Sequence, residues 1–272
     1  MVNIITKTSN TPGNTTVILA GVHGNETCGI KAFEKIIPDL EIKKGTVHFI
    51  YGNPKAIKEN VRYIDVNLNR MFREDSEISS NDKTSYEYKR SREIMPYLNE
   101  ADALLDIHAS NTPESTPFII CERKAEKIAQ ALNIEIIVSG FDELEPGGTD
   151  GYMNKQGKIG ICLECGYLGD SQSIEIAIEN IYRFLIVQGH IDGKLITKKQ
   201  TQFNMNYIYH TQTDMFTLVK EFSDFEKVTK NQIIGTDGEY NITAPNYGVI
   251  MFARNRNKKG EEAFLLGIKK ID

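Results

Sequence analysis

The chain has 272 residues, with 32 lysines and arginines against 37 aspartates and glutamates, so its formal charge is −5. This length allows about two domains, with a core large enough to need no disulfide bonds. The acidic balance argues against general nucleic-acid binding, and no apolar run approaches the roughly 20 residues that cross a bilayer. The first ten residues lack the basic-then-apolar pattern of a secretory signal, so we expect a cytoplasmic protein whose four cysteines stay reduced.

Apolar runs alternate with helical stretches through the first two-thirds of the chain. Runs typical of buried strands lie at 15–20, 47–51, 103–107, 118–121, 134–138 and 159–163. A helix is predicted directly after Gly21, through Phe33 and Ile37. Another is predicted to begin near Ser173, where apolar side chains recur at helical spacing. The alternation predicts an α/β domain over residues 1–190, in which helices cover both faces of a sheet.

The pattern changes after His190. Short strand-like segments at 207–210, 216–219 and 249–253 are separated by turn signals such as Thr236-Asp237-Gly238. We therefore expect a smaller, β-rich C-terminal domain over residues 191–272.

The segment Gly21-Val22-His23-Gly24-Asn25-Glu26 follows a predicted buried strand, and open α/β sheets bind ligands at that end of their strands. His23 and Glu26 can offer a nitrogen and a carboxylate oxygen to one metal ion, although a surface turn has the same spacing. His108 ends the 103–107 run and is the third candidate, with a rim histidine as its alternative. Together the three favour a metal site with one zinc ion per chain, because two histidines and a glutamate are typical catalytic zinc ligands.

Glu164 follows the 159–163 run and is the candidate general base. A carboxylate at the mouth of a buried strand is unfavourable unless it is paired or functional, so an ion pair with a lysine is the alternative. Cys162 and Cys165 flank the end of this strand. We predict that both are buried thiols on opposite faces, because the sequence shows no second cysteine pair for a zinc site and no helix start for a redox motif.

Residues 53–73 carry five basic side chains against two acidic ones. Arginines beside an asparagine suit the bidentate capture of a carboxylate, and a solvated charged loop is the alternative. The segment therefore predicts a small positive pocket near the metal site.

The segments GVHGNET, NPKAIKENVRYIDVNLNRMF, DIHAS and LECG, taken in order, resemble the succinylglutamate desuccinylase/aspartoacylase family of zinc hydrolases. The resemblance covers the motifs of residues 1 to about 190. It implies a carboxypeptidase-like mixed sheet flanked by helices, followed by a smaller β-rich domain. Matched by position, it implies zinc ligation by His23, Glu26 and His108, water activation and protonation of the leaving amine by Glu164, carbonyl polarisation by Arg62, and binding of a substrate carboxylate by Asn69 and Arg70.

Three positions depart from the pattern of that family. Asn67 stands where the family usually has an aspartate that could pair with the arginines, and Asn154 stands where aspartoacylases use an arginine. The tyrosine that gates acetylaspartate has no clear counterpart near residues 254–259. These departures argue against acetylaspartate as the substrate.

The residues and the resemblance together predict a zinc-dependent amide hydrolase, a deacylase acting on an N-acyl amino acid or a similarly small, carboxylate-bearing amide. A metallocarboxypeptidase that acts on short peptides is the first alternative. A non-catalytic, metal-bearing protein that binds a small acid is the second. We expect neither nucleic acid nor membrane as a partner, and the sequence leaves open whether the chain forms a homo-oligomer.

Overall fold

The computed structural model describes residues 3–113, 115–197 and 199–270, which divide into two compact units. The first unit extends to Gln200 except for residues 138–140, which group with the second unit. No helix within the described ranges is long and apolar enough to span a membrane.

A mixed sheet forms the centre of the first unit. Its strands follow the order β1-β3-β2-β4-β7-β5, in which β3, β2, β4 and β7 run parallel and the two outer strands run antiparallel. The strands are β1 (Ile4–Thr8), β2 (Thr15–Ala20), β3 (Thr46–Tyr51), β4 (Ala103–Ser110), β5 (Phe118–Cys121) and β7 (Ile159–Tyr167). A further strand, β6 (Ile136–Ser139), has its first two residues in the first unit and its last two in the second. The helices are α1 (Cys28–Ile36), α2 (Pro54–Glu59), α3 (Tyr86–Glu100), α4 (Glu126–Ala129), α5 (Phe141–Leu144), α6 (Thr149–Lys155) and α7 (Gln172–Val187).

Helices cover this sheet on both faces, as the apolar runs predict. Along β2, Ile18 belongs to a cluster that includes apolar residues of α1 and α7, whereas Val17 and Leu19 belong to a cluster that includes Ile94 of α3. Adjacent side chains of a strand point to opposite faces, so a strand that is apolar throughout has to be covered on both sides. The fold class expected from the sequence is confirmed.

The helix predicted directly after Gly21 begins later, at Cys28. Gly21 has a φ of +69°, which ends the strand and turns the chain. A Cβ at Gly24 would lie 2.1 Å from the carbonyl carbon of Ala56, so this loop packs directly on the backbone of α2. Residues 21–27 therefore form a loop fixed between β2 and α1.

A polar segment and a cysteine pair of the first unit differ in burial. The polar segment 75–83 is mostly exposed, and it contains short 3-10 turns at Asp75–Glu77 and Asp82–Thr84. Cys162 and Cys165 are both buried and free, which agrees with the prediction of two buried thiols.

The second unit is β-rich. One antiparallel sheet has the order β8-β14-β13-β10, and a smaller one has the order β9-β11-β12. The strands are β8 (Thr201–His210), β9 (Phe216–Leu218), β10 (Glu226–Val228), β11 (Ile233–Asp237), β12 (Tyr240–Thr243), β13 (Gly248–Met251) and β14 (Glu262–Lys269). Phe216, Ile250 and Phe264 are among the fully buried residues of its core.

Candidate metal and catalytic site

Three parallel strands end at the same edge of the first sheet. Ala20 at the end of β2 lies beside Ile107 of β4, and His108 of β4 lies beside Glu164 of β7. Residues in register on neighbouring strands point to the same face, so His108 and Glu164 share a face at this edge. The loop after β2 brings His23 and Glu26 to the same place.

Two histidines face one carboxylate. The Nδ1 atom of His23 lies 2.8 Å from Glu26 Oε1, and the Nδ1 atom of His108 lies 2.9 Å from Glu26 Oε2. The residues His23, Glu26 and His108 are 5%, 3% and 2% exposed, and one potential ligand atom from each lies within 4.8 Å of the others. The structure thus brings together the three residues that the sequence predicts as ligands.

The electrostatics of this group favour a cation. Burial lowers the pKa of His23, which favours the neutral form of its imidazole. Burial would also lower the pKa of His108, but the carboxylates of Asp106 and Glu26 outweigh it and hold that pKa well above its usual value. Burial would raise the pKa of Glu26, but the two histidines outweigh it and hold that pKa well below its usual value. Two carboxylates beside two imidazoles attract a positive charge.

Further polar groups lie at the outer side of each histidine. The Nε2 atom of His23 lies 3.1 Å from Asn67 Oδ1, and the Nε2 atom of His108 lies 3.1 Å from Asp106 Oδ2. Thr149 donates its hydroxyl to the same oxygen of Asp106. Such outer partners fix the ring orientation of metal-binding histidines, so both Nδ1 atoms are aimed at Glu26.

The contact of Asn67 differs from the expectation based on the family pattern, in which the residue at this position pairs with the arginines. Its Oδ1 atom accepts from His23 and from the backbone N–H of Asn69 at 2.9 Å. Asn67 lies at the start of the 3-10 turn Leu68–Arg70, where its side chain caps the turn. Position 67 therefore acts on a candidate metal ligand.

The donor set fits zinc. Imidazole nitrogens and a carboxylate oxygen are its usual catalytic ligands. The buried Nδ1 atom of His23 has no aligned hydrogen-bond partner among the residues that the structure describes, although Glu26 is close. A ligand atom whose lone pair is not used by a hydrogen bond is what metal binding requires.

Arg62 lies beside the group of potential ligands. Its Nη1 atom donates to Glu26 Oε1 at 2.9 Å, and its side chain is 41% exposed. Its backbone carbonyl accepts from the N–H of Gly24 at 3.1 Å, which ties the arginine to the loop after β2. A guanidinium held here can reach both the ligand group and a molecule that enters from solvent.

Asn69 and Arg70 lie together in the Leu68–Arg70 turn. The Nη2 atom of Arg70 donates to Glu145 Oε2 at 2.6 Å, and Asn69 Oδ1 accepts from the N–H of Thr149 at 3.2 Å. The positive pocket predicted from residues 53–73 is therefore partly neutralised by glutamates from elsewhere in the chain: Glu26 at Arg62 and Glu145 at Arg70.

Sequence reasoning assigned no role to several residues that take part in this site. Asp106 and His108 are two residues apart in β4, so their side chains point to the same face of the strand, and the sequence alone could have predicted that they are neighbours. Glu145 meets Arg70 across 75 positions of sequence, and Glu87 of α3 contacts the segment between Arg62 and Asn67. Those contacts depend on loop conformations that carry no periodic signal.

Comparison with known proteins finds relatives in sequence. A family model described as the succinylglutamate desuccinylase/aspartoacylase catalytic domain matches residues 12–185. An N-acyl-aromatic-L-amino acid amidohydrolase (carboxylate-forming) of Xenopus tropicalis is 29% identical over 166 residues, which are 55% of this chain and 53% of that protein. A succinylglutamate desuccinylase of Pseudoalteromonas atlantica is 38% identical over 82 residues, which are 29% of this chain and 23% of that protein.

The fold is shared with solved structures. That of a succinylglutamate desuccinylase from Vibrio cholerae matches with a TM-score of 0.80 and 18% identity, covering 99% of this chain and 87% of the other. The chain spans about half the length of the Xenopus relatives that it matches. The family model covers well over half of the sequence, including each of the predicted site residues. The chain belongs to the succinylglutamate desuccinylase/aspartoacylase family.

Proposed function

We propose that this protein is a zinc-dependent amide hydrolase that removes the acyl group from an N-acyl amino acid or a similarly small, carboxylate-bearing amide. The observation that carries the proposal is the convergence of His23, Glu26 and His108 at the sheet edge where Glu164 lies beside His108. The names of the Xenopus and Pseudoalteromonas relatives, both acyl-amide hydrolases, support it.

His23, Glu26 and His108 would hold the zinc ion, one per chain. A zinc ion bound there supplies Lewis acidity, which polarises a carbonyl and makes water more acidic. Glu164 is half-buried on the same face as His108, so its carboxylate can accept a proton from water and pass it to the leaving nitrogen. Arg62 would donate to the carbonyl oxygen as negative charge develops there.

Asn69 and Arg70 would bind the carboxylate of the amino-acid half. A guanidinium carries five N–H donors in a fixed plane, which suits a planar carboxylate. Because Glu145 already accepts from Arg70, the substrate carboxylate has to share Arg70 with it or displace it. This competition favours small acids that bring further contacts of their own.

Metal analysis followed by a substrate panel on the same preparation tests the proposal. We expect one zinc per chain and hydrolysis of at least one class of N-acyl amino acid. Glu164→Gln should lower kcat by about 10²- to 10⁴-fold with unchanged zinc content, because it removes a general base and leaves the ligands in place. Glu135→Gln, which changes an exposed glutamate of the same unit, is the matched control.

Three results would contradict the proposal in different ways. Protein that holds no transition metal and stays inactive after zinc is added would exclude the zinc hydrolase. Cleavage of dipeptides alone would identify a carboxypeptidase. Binding of small acids without any turnover, unchanged in Glu164→Gln, would identify a binding protein.

A further inference from the structure

A buried carboxylate of α3 contacts the irregular segment that joins Arg62 to Asn67. Glu87 lies in the first turn of α3 and is 0% exposed. The segment itself contains neither helix nor strand before Leu68, so its backbone N–H groups need partners from elsewhere.

Both oxygens of Glu87 accept hydrogen bonds. Oε1 accepts from Asn53 Nδ2 at 3.0 Å and from the N–H of Ile64 at 2.8 Å. Oε2 accepts from the N–H of Asp65 at 3.1 Å and from the N–H of Val66 at 3.2 Å. Three successive backbone N–H groups thus converge on one carboxylate, and the four donors match its four lone pairs.

The segment held by Glu87 touches the candidate metal site at both of its ends. At one end, Arg62 bonds Glu26 through its guanidinium and Gly24 through its carbonyl. At the other end, Asn67 accepts from His23. Glu87 binds the three residues between these contacts, so its carboxylate sets the path of the backbone from one contact to the other.

Stabilisation of the helix alone does not account for this arrangement. A glutamate in the first turn of a helix interacts favourably with the helix end while exposed, and complete burial of a carboxylate is unfavourable unless its oxygens are bonded. Asp65 returns a bond to α3, since its Oδ2 accepts from the N–H of Tyr86 at 2.8 Å. The segment therefore donates hydrogen bonds to Glu87 and accepts one from the backbone at the start of α3.

We propose that Glu87 is a positioning residue that holds segment 62–67 so that the Arg62 guanidinium faces the substrate carbonyl. This inference rests on the proposed function, in which Arg62 polarises that carbonyl. It assigns to α3 a part in the reaction although Glu87 bonds none of the three candidate metal ligands.

Glu87→Gln tests the inference, because it keeps the size of the side chain and replaces one acceptor oxygen by an NH2 group. In either orientation that group meets two donors, so two hydrogen bonds are lost. We expect kcat to fall about 10- to 100-fold, towards the loss caused by Arg62→Ala, with KM changed less than about 3-fold. In the double variant, kcat should lie within about 3-fold of Arg62→Ala alone, because both changes remove the same interaction.

The matched control is Glu93→Gln, which changes a glutamate on the same helix whose side chain is 63% exposed. Its kcat should stay within about 2-fold of the wild type. If the losses of Glu87→Gln and Arg62→Ala multiply in the double variant, Glu87 acts on the fold in general and the inference is wrong.

Amide hydrogen exchange, together with the NMR resonance of Arg62 Nε, provides a readout that needs no turnover. In Glu87→Gln, the N–H groups of Ile64, Asp65 and Val66 should exchange faster and the Arg62 resonance should shift. Unchanged exchange or an unchanged Arg62 resonance would overturn the positioning role. If the wild type hydrolyses no N-acyl amino acid and Glu87→Gln still shows both changes, the proposed function is wrong and the positioning of Arg62 by Glu87 is supported.

A second variant covers the case in which Glu87→Gln does not fold. Adding Asn53→Asp provides the new NH2 group with an acceptor in place of the Asn53 donor. The combined variant should fold and recover part of kcat. If it behaves no better than Glu87→Gln, unmatched donors are not the cause of the loss and the inference fails.

Discussion

Asp150→Asn should change how the stability of the first unit depends on pH. Asp150 is buried in α6, and burial, with added repulsion from Asp142 and Asp106, raises its pKa from 3.8 to about 7. The backbone N–H of Gly151 and the positive charge of His108 oppose the shift without cancelling it. The folded state therefore holds a proton at Asp150 that the unfolded chain releases above about pH 4.

The direction and magnitude of the change in unfolding free energy follow from this difference in pKa between the folded and unfolded states. A carboxyl whose pKa is raised on folding contributes stability that is complete below its unfolded pKa and is lost as the pH rises through its folded pKa. Each pH unit between the two values corresponds to about 1.4 kcal/mol. From pH 5 to pH 8 the wild type should therefore lose about 3 kcal/mol that Asp150→Asn, being uncharged, does not lose.

Urea unfolding followed by circular dichroism measures this difference, on metal-free protein so that release of a metal does not contribute. Asp39→Asn, at an exposed aspartate, is the control and should follow the wild type. Asp142→Asn should lessen the loss, because it removes the repulsion that helps to raise the pKa of Asp150. Equal slopes of unfolding free energy against pH in the wild type and Asp150→Asn would refute the reasoning.

Three further predictions concern other parts of the first unit. Asn67→Asp should tighten zinc binding about 10-fold in a chelator competition, since a carboxylate makes His23 a more basic ligand than an amide does; weaker binding would contradict this role. Glu145→Gln should lower KM for carboxylate-bearing substrates about 3- to 10-fold without changing kcat, because it removes the charge that competes for Arg70, and steady-state kinetics measures it. Burial lowers the pKa of His190, so the unfolded chain takes up a proton there more readily than the folded protein, and the fold should lose stability as the pH falls below about 6.5. A His190→Gln variant should show urea midpoints that change less between pH 7 and pH 5 than those of the wild type.

The strand ends of the site could be predicted because their signal is local. The apolar runs that form β2 and β4 end next to His23 and His108, and parallel strands present their carboxyl ends at one edge. That rule alone brings the two histidines together. The same local signal identified β7, and with it Glu164.

The supporting contacts could not be predicted, for physical reasons. The helix α3 is polar over most of its length and contains Pro96, so its pattern resembles a loop. Because the helix is not predicted, the position of Glu87 in its first turn is not predicted either. The partner of Asn67 depends on the exact path of an irregular segment. A charge count along the sequence also missed that Glu145 would meet Arg70, since charges distant in sequence can be adjacent in space.

Parallel pairing of β2 with β4 affects the order of events in folding. Ala20 lies beside Ile107, and β3 and α3 lie between these two residues in the sequence, so the two histidines can meet only when this long loop closes. Pairing between distant segments forms slowly, because closing a long loop loses chain entropy before contacts compensate for it. We therefore expect the nascent chain to have no high-affinity zinc site until β4 has emerged and paired with β2. Acquisition of zinc would then follow the pairing of β2 with β4, and tight metal binding would report that these two strands have paired.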